Sequence, residues 1–325
     1  MDTTEHTTVR RAGLRAMGSA AEVIVVGGPD GLSDLARYRI EALEQRWSRF
    51  RDDSEVSELN RGAGSWVAVS DDTLLLIARA TEGWRLSGGR FDPTILGSVL
   101  RAGYDTTFES IGLAAPAAPS ALFLGCDDIE VDGHRVRLPA GTGFDPGGIG
   151  KGLAADIIVA ELRQAGAAGA CVNLGGDLRV SGLGPDQEIG GWTVAVEPEE
   201  SDRPLCRVGL ADGGIATSTT LRRRWTVDGE PRHHLIDPDT GRPSTTDLTT
   251  VTVIAGAAWK AEILAKAVLL RGSNHPFDLI EGSGAHALAV TDAGAVLGSD
   301  GLAAFLGGTP LPTHLAALTG SEPSR

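Results

Sequence analysis

The apolar positions change period along the chain, and the change separates two kinds of segment. In residues 33–47, SDLARYRIEALEQRW, apolar residues recur every three to four positions, which puts them on one face of an α-helix. Ser33 and Asp34 mark its start. The same period runs through 70–89, SDDTLLLIARATEGWRLSGG. There Ser70 stands as an N-cap, two aspartates favour the positive dipole end, and Gly88-Gly89 stop the helix. GLAADIIVAELRQAG, ending at Gly166, and AAWKAEILAKAVLLRG, residues 257–272, complete the long helices. Residues 49–61 read as a polar loop followed by a short helix.

Strand signals have a different distribution. EVIVVG at 22–27 is a short apolar run, and 121–138 alternates as a hairpin ending in RVRLP. The second half carries ACVNLGGDLRVSG, WTVAVEP, CRVGLADGGIATS, RWTVDGEPRHHLIDP, TTVTVIAG and AHALAVTDAGAVLG, β-branched runs broken by turn residues. Strands outnumber helices there and strict βαβ alternation is rare, which predicts an α+β fold rather than a doubly wound sheet. Residues 1–16 and 309–325 lack a clear pattern and read as loosely held tails around one domain at 17–308.

Composition narrows the function. A net charge of −14 leaves no basic surface to displace counterions from a nucleic acid. Of 29 basic residues only Lys151, Lys260 and Lys266 are lysines, so each draws attention as a candidate for chemistry. Three widely spaced cysteines form no C-x-x-C pair and read as buried thiols. The N-terminal segment has no secretory pattern and no run of about 18 apolar residues occurs, so the expectation is a cytoplasmic protein without membrane insertion.

Two stretches carry candidate chemistry. FDPGGIGKGLAAD, 144–156, leads glycines into a helix, a geometry that offers backbone N–H groups and a positive dipole to phosphate. It matches neither the P-loop nor the dinucleotide fingerprint: Asp145 and Gly152 stand where the P-loop needs glycine and Ser/Thr. A tight strand–helix turn with a surface lysine is the alternative. In RHHLIDPDTGRP, 232–243, Asp237 to Gly241 has strong turn chemistry. The preceding histidines alternate across a strand, so one can face a cleft while the other faces away. On the helix at 257–272, Glu262 and Lys266 are four apart, which by default is a surface ion pair worth about 0.2–0.5 kcal/mol.

Taken in order, FRDDSEVSELN, FDPTILG, FDPGGIGKGLAAD, VNLGGDLRVSG, GIATSTTLRR, HHLIDPDTGRP and AAWKAEILAKA resemble the ApbE family of FAD:protein FMN transferases, from about Met17 to about Gly308. The resemblance implies an α+β, ApbE-like (T-fold-like) arrangement of mixed sheets and packed helices around an FAD-binding cleft. It also implies an enzyme that moves FMN from FAD to a Thr or Ser hydroxyl of an acceptor protein, releasing AMP. A non-catalytic FAD-binding protein, an FAD pyrophosphatase or a flavin-dependent oxidoreductase on the same fold is the alternative. Carried over by motif, Phe50 stacks on flavin, with Ser54, Glu55 and Asn60 in the same segment. Asp92 and Thr94, Thr217 and Ser218, and His234 and Asp237 follow from their own motifs. Gly147, Gly148 and Gly150 with Lys151 meet the pyrophosphate, and His234 accepts the acceptor proton or orients the phosphates. The family's magnesium would be held by the Gly150 carbonyl and by two side chains that here are Glu262 and Lys266. Lysine has donors and no lone pair. Two arrangements are open: Lys266 supplies part of the metal's charge, or it swings away and leaves a weaker magnesium site. Thr219-Thr220 is a second departure, bearing on acceptor choice. The chain has no convincing copy of the family's acceptor motif, so self-flavinylation is not expected.

Overall fold

The computed structural model describes residues 7–104, 125–186, 189–198, 203–227 and 230–315. The chain opens with the antiparallel pair β1 (Val9–Ala16) and β2 (Ser19–Val26), then α1 (Leu32–Trp47) and α2 (Glu55–Arg61). Next come β3 (Val67–Ala68), α3 (Asp71–Leu86), α4 (Leu96–Arg101), β4 (Glu130–Asp132) and β5 (Arg135–Arg137), whose three strands form a small sheet. α5 (Gly150–Gln164) leads into the β6 (Gly169–Leu174) and β7 (Asp177–Gly182) hairpin. A second hairpin, β8 (Trp192–Val196) with β9 (Cys206–Leu210), precedes β10 (Asp212–Thr219). β11 (Arg224–Val227) pairs with β12 (Glu230–His233), and β13 (Ile236–Asp237) with β14 (Arg242–Pro243). β15 (Leu248–Ala255), α6 (Ala258–Arg271), β16 (His286–Thr291) and β17 (Val296–Gly298) complete the chain.

Eight of these strands form one sheet in the order β1-β2-β6-β7-β10-β15-β16-β17. Every neighbouring pair is antiparallel. Both faces of the sheet are covered at the C-terminal half of β2, which is why residues 23–26 read as an unbroken apolar run. Val23 and Val25 join the core beneath α1, α3 and α5, while Ile24 and Val26 join a second core under the β8–β9 hairpin. α6 packs on β10 and β15 over a third apolar cluster.

Most expected elements are present, with three corrections. α1 starts at Leu32 behind Gly31, whose φ of 87° places it in the left-handed region, and Ser33 is no N-cap. Ser70 does cap α3, accepting the Thr73 amide. The expected tail at 1–16 contains β1, which is held along its length by β2. Part of the expected C-terminal tail is also tied down: Val296 N donates to Thr313 O and Leu315 N to Gly294 O. Of the hairpin expected at 121–138, the strands are β4 and β5, and residues 121–124 lie outside the described set.

Candidate active site

One cavity of about 480 Å³ opens between the C-terminal end of α1, the N-terminal turn of α5 and one side of α6. That is within the usual size range of small-molecule sites, about 300–1,000 Å³. Seven cationic side chains and three carboxylates line it, so a cationic pocket is set into an acidic chain. Of the expected site residues, Phe50, Asp92, Gly148, Gly150, Lys151, His234 and Lys266 come together on its wall.

The glycine turn is shaped by its neighbours. A Cβ on Gly152 would lie 2.5 Å from the Ala258 carbonyl oxygen, so glycine there lets α5 and α6 touch by their backbones. Asp156 fixes the same junction by accepting the Ala258 and Trp259 amides at 2.9 Å each, capping α6 from α5. Burial outweighs those bonds and the nearby Arg179, and pushes the Asp156 carboxyl up to about 6.

Lys151 is not a free cation. Its Nζ donates to Asp177 and, at 2.9 Å, to Glu262 Oε1, while the Gly152 amide donates to Glu262 Oε2 at 2.8 Å. Burial opposes its charge, but the two carboxylates outweigh burial and hold the ammonium above its ordinary value. Burial, with Glu262 adding repulsion, pushes Asp177 up to about 6 although Lys151 pulls it down. The default Glu262–Lys266 ion pair is therefore absent: Glu262 turns to Lys151, 111 residues away.

Lys266 points the other way. It has no hydrogen bond or ion pair to another described residue, and its Nζ lies 5.8 Å from the centre of the Phe91 ring. A Cβ on Gly148 would sit 2.1 Å from that nitrogen, so Gly148 makes the room it occupies. Burial lowers its pKa, and Asp145 and Glu262 offset part of the effect.

His234 lines the cavity with a buried Nδ1 that has no partner. Burial first, then the charges of Arg223 and Lys266, push its pKa well below 6.5, so the imidazole is neutral at pH 7. His233, the last residue of β12, is turned elsewhere and its Nε2 lies 2.9 Å from the Ser244 carbonyl; His234 follows the strand rather than alternating within it as expected. Arg49 also lines the cavity, its guanidinium 4.1 Å from the Phe50 ring centre and 4.7 Å from that of Tyr104. Its Nε is 3.4 Å from Asp145 Oδ2. The exposed Phe50 ring is thus backed by a fixed, planar cation.

Several expected site residues stand behind the wall instead. Ser54 caps α2, Asn60 exchanges two hydrogen bonds with the Phe144 backbone, and Thr94 donates to Asp92 at 2.6 Å. Thr217 meets Thr252 at 2.9 Å on β10, and the neighbouring Ser218 does not line the cavity. Asp237 accepts the Asp239 amide and shapes its turn. Asp177, Asp156 and Arg49 were not singled out from the sequence. The available signal for Asp177 was a carboxylate directly after the Gly175-Gly176 turn, at the start of a strand.

A magnesium ion fits this donor set poorly. Both Glu262 oxygens have hydrogen-bond partners, and the next position on its face is a donor-only ammonium. Magnesium prefers a near-octahedral shell of oxygens. No group of three or more His, Cys, Asp or Glu residues arranged for a metal occurs among the described residues.

The ApbE family profile matches residues 1–290. The chain belongs to the ApbE family. It is 32% identical over 252 residues to the FAD:protein FMN transferase of Treponema pallidum, covering 72% of this chain and 69% of that one. The Vibrio cholerae protein of the same name is 26% identical over 248 residues, 74% of each chain. Among solved structures, the ApbE protein of Thermotoga maritima superposes with a TM-score of 0.81 at 25% identity, covering 92% of this chain and 99% of that one. The apo flavinyl transferase ApbE of Pseudomonas stutzeri gives 0.80 at 26% identity, covering 96% and 100%. The ApbE fold expected from the motifs is therefore the observed one. No helix among the described residues is long and apolar enough to cross a membrane.

Proposed function

We propose that this ApbE-family chain is an FAD:protein FMN transferase that joins FMN to a Ser or Thr hydroxyl of an acceptor protein. The observation that carries the reading is the meeting of Lys151, Lys266 and a neutral, unpartnered His234 on one cavity wall. Such a wall suits a pyrophosphate and a hydroxyl that must lose its proton.

In this reading Phe50, backed by Arg49, stacks on the isoalloxazine ring, and the 147–150 backbone with Lys266 receives the pyrophosphate. Lys151, fixed by Asp177 and Glu262, holds the N-terminal turn of α5 in place and presents its remaining charge to the same anion. The acceptor oxygen attacks the phosphorus on the FMN side, and the bond from that phosphorus to the bridging oxygen breaks. AMP leaves with the bridging oxygen, and His234 takes the hydroxyl proton. The bound pyrophosphate's negative charge raises the His234 pKa from its low resting value, so basicity develops only when substrate is present. The magnesium implied by the resemblance, with Gly150 and Glu262 as ligands, has no part in these steps, because the donor set fits it poorly.

The test is incubation of the purified chain with FAD, with and without an acceptor domain. AMP release together with covalent flavin on the acceptor is the expected outcome. AMP release without transfer would assign an FAD pyrophosphatase, and intact bound FAD would assign a carrier.

A further inference from the structure

The position that should complete a divalent-cation site holds an ammonium aimed at the substrate cavity. Three observations define it. Glu262, the carboxylate expected to ligate the ion, has both oxygens engaged, one by Lys151 and one by the Gly152 amide. Lys266, one turn further along α6, lines the cavity and has no hydrogen-bond or ion-pair partner among the described residues. Its nitrogen occupies the space that a side chain at 148 would need, 2.1 Å from a Cβ built there. The turn that should cradle the phosphates and the lysine are therefore in contact before any ligand arrives.

We propose that the Lys266 ammonium takes the place of the divalent cation in this chain, so that the FAD pyrophosphate binds and reacts without metal. The proposal rests on the transferase reading for the identity of the substrate. An ammonium can donate up to three charge-assisted hydrogen bonds to phosphate oxygens, but it cannot bridge as a two-plus ion does. It delivers one charge instead of two. Lys151, Asp177, Glu262 and Lys266 together are formally neutral, so the pyrophosphate meets less positive charge than a magnesium ion beside Lys151 and the same carboxylates would present. The reaction is unchanged in its bonds: phosphorus exchanges the bridging oxygen for the acceptor oxygen, and the proton goes to His234. Only the charge that steadies the phosphates differs in kind.

The experiment measures FAD affinity by flavin fluorescence, and inorganic pyrophosphate affinity by calorimetry, for the intact chain in excess EDTA and in excess magnesium. Flavin transfer is followed under the same two conditions. For the native chain, affinity and transfer rate are expected to agree within about twofold with and without metal. In Lys266→Thr, FAD and pyrophosphate are expected to bind about 10- to 100-fold more weakly in EDTA, the loss of a hydrogen bond to a charged group, and added magnesium recovers part of it. Lys266→Arg, which keeps the charge, retains metal-free binding, and a thermal melt of each variant reports folding. Native binding that needs magnesium overturns the proposal and leaves the transferase reading intact. Metal-free binding of pyrophosphate that depends on Lys266, with no affinity for FAD, overturns the transferase reading and leaves the ammonium's role standing. An unchanged affinity in Lys266→Thr in EDTA overturns the proposal as well.

Discussion

His234 shows what burial does to a single side chain. It lines the cavity, its buried Nδ1 has no partner, and burial together with Arg223 and Lys266 holds its pKa well below 6.5. The folded protein therefore binds fewer protons at this site than the unfolded chain does. The stabilising contribution is present above pH 6.5 and is lost as pH falls from 6.5 toward the depressed folded value. Asp177 and Asp156, both raised to about 6, act in the opposite sense, their contribution fading as pH rises toward 6. The comparison must therefore be between native protein and a variant. In His234→Gln the melting midpoint falls less steeply between pH 6.5 and 5 than in the native chain, while flavin transfer drops by about 10²–10⁴-fold. Parallel midpoint curves for the two proteins would remove the case for a neutral buried imidazole.

At the level of elements, the site depends on the junction of α5 and α6. Gly152 allows contact of the two backbones, Asp156 caps α6 from α5, and Glu262 returns the connection to Lys151 and the Gly152 amide. Moving α6 moves Lys266 relative to Gly148. Asp156→Ala removes a cap that serves two amides and leaves the Arg179 Nε, 3.2 Å away, short of a partner. It is expected to cost about 1–2 kcal/mol in urea denaturation and to raise KM for FAD more than it lowers kcat. A variant with native stability but no activity would assign Asp156 to chemistry instead.

The helices themselves were legible in the sequence because their periods and caps are local, as Ser70 and its two aspartates illustrate. β1 was not. Its alternation of half-buried and exposed positions is carried by arginines and small residues at the sheet edge, and only pairing with β2 makes it a strand. Asp156 and Asp177 escaped notice because their partners lie 102 residues onward and 26 residues back in the chain. The expected pairing of Glu262 with Lys266 failed for a similar reason. That face of α6 is not the exposed one on which such pairs are counted: Glu262 is buried, and Lys151 and the Gly152 amide from α5 engage its two oxygens. The ordered motifs placed Phe50, Gly148, Lys151, His234 and Lys266 at one cavity, but not the direction in which each lysine points.

For the molecule as a whole, charge is divided unequally between cavity and exterior. The chain carries −14, yet seven cations face three carboxylates on the cavity wall, so the rest of the molecule is more acidic than the net figure suggests. In the proposed reading the cations serve the FAD phosphates at short range, where partial burial limits screening by salt. An acceptor protein approaches from outside and meets the acidic field first. Acceptor segments with lysines flanking the reactive Ser or Thr are therefore captured faster than the same segments flanked by glutamates. The advantage resides in the association rate, and it shrinks as the Debye length falls from about 30 Å at 0.01 M salt to about 3 Å at 1 M. Initial rates of covalent flavin incorporation into two such peptides, measured at saturating FAD across that salt range, test the argument. Equal rates at low salt, or faster labelling of the acidic peptide, would show that local contacts at the cavity mouth outweigh the field of the whole chain.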